Sequence, residues 1–252
     1  MNRQLGIICK AVLAAATLTA AQSAPIDAAS AATAATTIPL KESTMIIEYN
    51  ASAEDIGIQF FLDSDGWREV EIFDPNGVEI FSAETEGSLT KQGGGTELFL
   101  ESVEPAIDVL PFDRFFRRFP EGTYRFRARD NAGNLQKGNA VFTHDIPAGP
   151  ELITPVPASG AECARRVPLP VLIAWEPVAT SAFGLPLEIV GYEVIVENDD
   201  GLNFDVKFPA DIEELTVPDG LLEPATDYIF EVLAVEEGGN QTITEGCFRT
   251  AR

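Results

Sequence analysis

One stretch constrains this chain more than any other: Leu222-Glu223-Pro224-Ala225-Thr226-Asp227-Tyr228-Ile229-Phe230-Glu231-Val232-Leu233-Ala234-Val235. It reads as a turn, a tyrosine and one long strand. A second version, Phe119-Pro120-Glu121-Gly122-Thr123-Tyr124-Arg125-Phe126-Arg127-Ala128-Arg129-Asp130, lies upstream. In a β-sandwich such a tyrosine sits where the chain crosses between sheets, and its hydroxyl bonds back to the backbone. Tyr124 and Tyr228 therefore predict two sandwiches in series. A chain of 252 residues, 45% hydrophobic, is long enough to give each a core of its own.

The strand pattern between the corners agrees. In the first half, Met45–Tyr49, Ile56–Leu62, Glu69–Phe73, Val78–Phe81 and Glu97–Leu100 read as strands, several with the two-residue alternation of a half-buried sheet. Asp63-Ser64-Asp65-Gly66 and Asp74-Pro75-Asn76-Gly77 read as turns, and Gln92–Gly95 as a loop. Phe112, Phe115, Phe116 and Phe119 recur at helical spacing after Pro111, predicting one short helix over about 111–118 that caps an open end of the sandwich. Thr123–Arg129 and Ala140–Phe142 close the domain. The strand, the tyrosine and the Asp130-Asn131-Ala132-Gly133-Asn134 turn resemble bacterial immunoglobulin-like modules. A segment with Pro147, Pro150, Pro155 and Pro157 follows, a short, stiff join.

The second half resembles the fibronectin type III family over roughly Pro150 to Thr250. Val171-Leu172-Ile173-Ala174-Trp175-Glu176-Pro177 is similar to that family's second strand, and Ile189–Val196 to its third. Leu215-Thr216-Val217-Pro218 and the corner at Tyr228 complete the series. The resemblance implies that Trp175 is buried in the core. The fold class expected is all-β, two tandem β-sandwiches, immunoglobulin-like over 43–148 and fibronectin type III over 150–251. One departure from the family is a long first connection, Ala158 to Pro170, containing Cys163. In this fold that connection and the end of the last strand, with Cys247, meet at one pole, which implies a Cys163–Cys247 disulfide; two free thiols are the alternative.

The N-terminus reads as an export signal over 1–23. Arg3 and Lys10 flank a short apolar run, and Ala21-Gln22-Ser23 offers small residues for cleavage. The run is too short to span a membrane and no later segment could span one, which predicts a secreted or periplasmic protein. Residues 24–42, rich in Ala and Thr, read as a flexible leader. Formal net charge is −23. That argues against nucleic acid, whose affinity rests on neutralised phosphates, and against anionic lipid.

Enzyme chemistry finds little footing. The chain has one histidine, His144, at a strand end beside the join. No Gly-x-Ser-x-Gly elbow or phosphate-cradling loop occurs. A glycosidase-like carboxylate pair stays open only because acids are abundant. No cofactor is expected. Asp63, Asp65 and Asp130 are weak calcium candidates, oxygen-rich turns that match no complete calcium loop.

Three surfaces are candidates for binding. Arg125, Arg127 and Arg129 face outward on one strand, able to hold an anionic polymer by bidentate contacts. The competing reading pairs them with Glu69 and Glu71 on the neighbouring strand. Trp67 stands either in the core or exposed on a loop for a glycan. Ile195, Ile229, Leu233 and Val235 should point outward from the second sandwich, an apolar cluster of the kind that marks contact. Its partner is the first domain, a second copy, or another envelope or extracellular protein. The family resemblance implies adhesion, scaffolding or ligand presentation without a chemical step. The alternative is a carbohydrate-binding module for an extracellular polysaccharide, and a small glycosidase-like enzyme ranks third.

Overall fold

A computed structural model describes residues 37–156 and 163–252. The expected signal peptide and residues 24–36 of the expected leader lie outside the described residues. Among the described residues the chain is all-β with two short helices. Its first half runs β1 (Thr37–Pro39), β2 (Glu42–Asn50), β3 (Asp55–Trp67), β4 (Glu69–Phe73), β5 (Glu79–Glu84), α1 (Gly87–Gln92), β6 (Gly95–Glu101), α2 (Phe112–Arg118), β7 (Gly122–Arg129) and β8 (Leu135–Phe142). Its second half runs β9 (Glu151–Thr154), β10 (Ala164–Val167), β11 (Leu172–Glu176), β12 (Ile189–Glu197), β13 (Asn203–Pro209), β14 (Glu214–Thr216), β15 (Asp227–Glu236) and β16 (Gln241–Thr250).

Two cores form, as the alternation predicts. In the first, the five-stranded sheet β1-β8-β7-β4-β5 faces β2-β3-β6, and Met45, Ile47, Phe60, Leu62, Ile72, Tyr124, Phe126 and Phe142 fill the space between. In the second, β14-β11-β9 faces β13-β12-β15-β16, around Trp175, Tyr192, Val194, Phe230, Val232 and Phe248. Both tyrosine corners close. Tyr124 Oη donates to the Pro120 carbonyl at 3.1 Å, and Tyr228 Oη accepts from Glu223 N–H at 2.8 Å. Trp175 is fully buried beside Tyr192, as the fibronectin type III resemblance implies.

The sandwiches are not merely tethered. β16 pairs in parallel with β2, Gln241 facing Glu48 and Ile243 facing Asn50, so one eight-stranded sheet runs through both halves in the order β13-β12-β15-β16-β2-β3-β6, with β10 on β16. Asn240, 2% exposed, clasps this seam. Its Oδ1 accepts from Ile47 N–H at 2.8 Å, and its Nδ2 donates to Thr143 Oγ1 at 3.0 Å and the Asp145 carbonyl at 3.3 Å. The proline-rich join is zipped onto the second sandwich: Thr242 Oγ1 donates to the Pro147 carbonyl, and Ala148 N–H to the Thr180 carbonyl. On the other side of the join, Phe183 packs edge-on against Phe112 of α2, with ring centroids 5.1 Å apart.

Several local expectations are corrected. Thr37–Pro39 forms β1, parallel to β8, and β2 starts at Glu42, so the described end of the expected leader contains strand. Asp63-Ser64-Asp65-Gly66 is not a turn. It lies inside β3, where the register against β6 slips between Asp63 and Trp67, and the chain passes from one sheet to the other at Arg68. Turn-forming residues serve a bulge as well as a hairpin, since both need extra twist. The first half has two helices among the described residues rather than one; α1 is a six-residue helix with no buried side chain, so it has no apolar face to reveal it. The long connection, where described, forms the additional strand β10. The glycine run has a packing role: a Cβ on Gly94 would overlap the Trp67 carbonyl, and one on Gly95 would stand 2.7 Å from the Trp67 ring.

Candidate functional site

β-Strand geometry projects alternate side chains from each sheet, so the outer faces are the surfaces available for recognition. On β7, Arg125, Arg127 and Arg129 point outward while Tyr124, Phe126 and Ala128 are buried. Register sets Arg129 opposite Glu69 and Arg127 opposite Glu71 on β4, and Arg127 opposite Lys137 on β8. Arg129 approaches Glu69 at 4.0 Å. Arg127 instead lies over the Phe73 ring, 4.7 Å from its centroid, and makes no ion pair among the described residues. Pairing accounts for one of the three arginines, and the face stays basic around Arg125, Arg127 and Lys137.

Trp67 is 7% exposed and belongs to the first core. The exposed-loop reading is thereby corrected: β3 continues through Gly66, and the indole turns inward beside Gly95. Leu233 is corrected in the same way. It points to the outer face of β15 but is only 2% exposed. Leu233 lies in the register row Glu193–Leu233–Ile243–Asn50, flanked by side chains of β12 and β16 in a sheet that continues into β2. Ile195 and Val235 are half-buried, which leaves Ile229, 42% exposed, as the open member of the expected contact cluster.

The weak calcium candidates have partners. Lys41 Nζ lies 3.7 Å from Asp63 and 2.8 Å from Asp65. Asp130 Oδ1 accepts from Ala132 and Asn134 N–H, and Oδ2 from the Asn134 amide. Burial pushes the Asp130 carboxyl up, but these bonds outweigh it and hold it below the usual carboxylate range. Asp65 and Asp130 line one cavity of about 280 Å³ with Ile38, Gly93 and Gln136. His144 is structural: it stacks on Phe116 at 4.0 Å, and its Nε2 lies 2.8 Å from the Phe119 carbonyl oxygen.

Sequence reading missed the acidic outer face of the joint sheet. Glu48 is buried at the seam, where its Oε2 accepts from the Gln59 amide at 2.8 Å and from the Gln241 amide. Glu48, Glu101 and Glu104 bring one carboxylate oxygen each within 4.8 Å of the others, an arrangement a hard cation could use. Burial, then the charges of Glu48, Glu101 and Asp55, push Glu104 up to about 7. Burial, then Glu245, Glu197, Glu48 and Glu193, push Glu231 up to about 7. No sequence signal marks this group, because its members come from strands far apart in the chain: β2–β3–β6 pairing gathers Glu48, Asp55, Glu101 and Glu104, and β16–β2 pairing brings the acids of β12, β15 and β16 onto the same sheet.

At the far pole of the second sandwich Cys163 and Cys247 form a disulfide, with Cα atoms 4.7 Å apart. This bond joins the start of β10 to β16. Beside it, Ile229 faces Cys247 across β15–β16 in a shallow acidic cavity with Glu197, Asp199 and Asp227.

No protein-family model matches the sequence, and no curated protein matches it. Among solved structures the chain is similar to chicken CNTN1 FN1-FN3 domains, at TM-score 0.31 and 10% identity over 86% of this chain and 66% of that one. It is similar to a two fibronectin type III domain segment from chicken tenascin, at TM-score 0.28 and 11% identity over 86% and 99%. A third similarity is to a tetra-tandem repeat in the extending region of a large adhesion protein, at TM-score 0.27 and 13% identity over 83% and 49%. The chain thus spans about two thirds of the first of these and half of the third. Its own fold, two tandem β-sandwiches each with a tyrosine corner, rests on the strand pairings and cores described above.

Proposed function

We propose that this chain is an exported, non-enzymatic binding or scaffold protein that engages a partner protein through the outer faces of its sheets. The observation that carries this reading is the shared sheet. β16–β2 pairing and the Asn240 clasp fix the two sandwiches as one body, so side chains far apart in sequence are presented in a constant arrangement. Pre-organisation of this kind lowers the ordering cost of association. The disulfide suits an oxidising compartment.

The contact surface we favour is the exposed pole around Ile229, where an apolar side chain stands beside the disulfide within an acidic rim. The test is capture of envelope or extracellular proteins on immobilised oxidised protein, compared with Ile229→Glu. A partner retained by the parent and lost in a folded Ile229→Glu variant supports the reading; equal retention by both contradicts it. The carbohydrate-binding alternative has lost its aromatic platform with the burial of Trp67, and keeps only the basic face around Arg125 and Arg127. Retention of polysaccharide alone, lost in Arg127→Gln, would favour it.

A further inference from the structure

The end of β16 builds a feature that the binding surfaces above do not use. β10 runs parallel to β16, and Arg165 faces Arg249 directly across the pair. The register then slips between Arg165 and Val167, which leaves Arg166 in left-handed backbone at φ 59°. Ala251 N–H donates to the Val167 carbonyl at 2.8 Å, and the Ala251 carbonyl accepts from Ala225 N–H at 2.9 Å. Thr250 Oγ1 donates to the Glu223 carbonyl at 2.7 Å and accepts from Thr226 N–H at 2.9 Å. These bonds clamp the strand end between β10 and the 223–226 turn, while Cys163–Cys247 anchors the other end of the pairing. The result is a cavity of about 590 Å³ lined by Arg165, Arg166, Arg249 and Arg252, with Thr250, Ala225 and Ala251.

Three physical points single this cavity out. Like charges directly opposite on paired strands repel, and Arg165 opposite Arg249 is such a pair. A left-handed backbone is disfavoured for any residue with a Cβ, and a bulge that holds one re-aims its side chain. Finally, the chain carries 40 acidic residues against 17 Lys and Arg, yet four arginines line this one cavity. Asp227 bonds Arg249; Arg165, Arg166 and Arg252 make no ion pair among the described residues.

We propose that this cavity binds a tetrahedral oxyanion, a phosphate or sulfate group. Guanidinium forks match such oxygens two at a time, and an anion between Arg165 and Arg249 replaces their repulsion with a shared attraction. The volume suits a small ligand. The cavity lining shares no residue with the Ile229 contact surface, and the two meet at the Asp227–Arg249 pair.

The test is thermal unfolding and isothermal titration of the oxidised protein with inorganic pyrophosphate, and separately with a disulfated disaccharide, against chloride at matched ionic strength. The expected result is a midpoint that rises with oxyanion concentration and one binding event per chain. Affinity falls about tenfold or more in Arg165→Gln/Arg252→Gln and stays unchanged in Arg127→Gln on the other basic face. Should the double variant fail to fold, Arg252→Gln alone, at an exposed position, must still weaken binding. Preference for pyrophosphate assigns a phosphate source, and preference for the disaccharide a sulfated glycan. No effect beyond matched chloride, or loss in Arg127→Gln with none in the pole variants, overturns the proposal.

Discussion

Replacing Asn240 by alanine removes the clasp between the two sandwiches without touching either core. The side chain satisfies Ile47 N–H, a buried donor on β2, and donates to Thr143 and Asp145 at the start of the join. An unsatisfied buried N–H costs about 1–3 kcal/mol, and each lost net hydrogen bond about 0.5–1.5. Together these give an expected destabilisation of roughly 2–4 kcal/mol, or about 5–15 °C in midpoint for a unit of this size. The chain's two tryptophans make the assay selective, because Trp67 lies in the first core and Trp175 in the second. Guanidinium unfolding is followed by fluorescence in Trp67→Phe and Trp175→Phe backgrounds. With Asn240 present, both probes report one coincident transition. With Asn240→Ala, the midpoints fall and separate. A change below about 0.5 kcal/mol with coincident transitions retained would refute the reasoning, since an unmade buried hydrogen bond cannot be that cheap.

Other consequences follow from the same contacts. Glu231 and Glu104 are raised to about 7 in the folded protein, above an unfolded value near about 4.3, so the folded state holds extra protons between those values. Their stabilising contribution is complete below the unfolded value and is lost as pH rises toward about 7; in Glu231→Gln the fall in stability across this window becomes shallower, read by urea unfolding at a series of pH values. Cys247→Ser removes a cross-link spanning 84 residues and should cost roughly 3–5 kcal/mol in denaturant unfolding. Gly94→Ala forces a Cβ onto the Trp67 carbonyl in a backbone of φ 92°, and should lower stability by more than about 2 kcal/mol while Gly133→Ala, in open space at a similar φ, costs less.

What the sequence disclosed and what it hid divide along the range of the interactions. Tyr124, Tyr228 and Trp175 were legible because each belongs to a motif whose parts lie within a few residues. The Cys163–Cys247 pair needed only the resemblance to a known strand order. The seam was illegible: Asn240 and Ile47 are 193 positions apart, and Gln241-Thr242-Ile243 has the look of an ordinary edge. The burial of Leu233 was not legible either, because its row of side chains runs through Ile243 to Asn50 in the other half of the chain. The stretch before Trp67 was read as a turn for a different reason. Asp65-Gly66 carries the composition of a turn, but here it lets one strand twist from one sheet into the other. The arginine pole was hidden because Arg165 and Arg166 lie in a connection that the family resemblance does not cover, and their partners Arg249 and Arg252 come from the last strand and the residues after it.

The claim on which the rest depends is that the two sandwiches form one rigid body through the shared sheet. It is tested most directly by the distance distribution between spin labels on exposed positions of each half, Val141→Cys on β8 and Asp219→Cys after β14, with Cys163–Cys247 left oxidised. The shared sheet predicts a single narrow distribution that broadens in Asn240→Ala. A broad distribution in the parent protein, unchanged by Asn240→Ala, would contradict it.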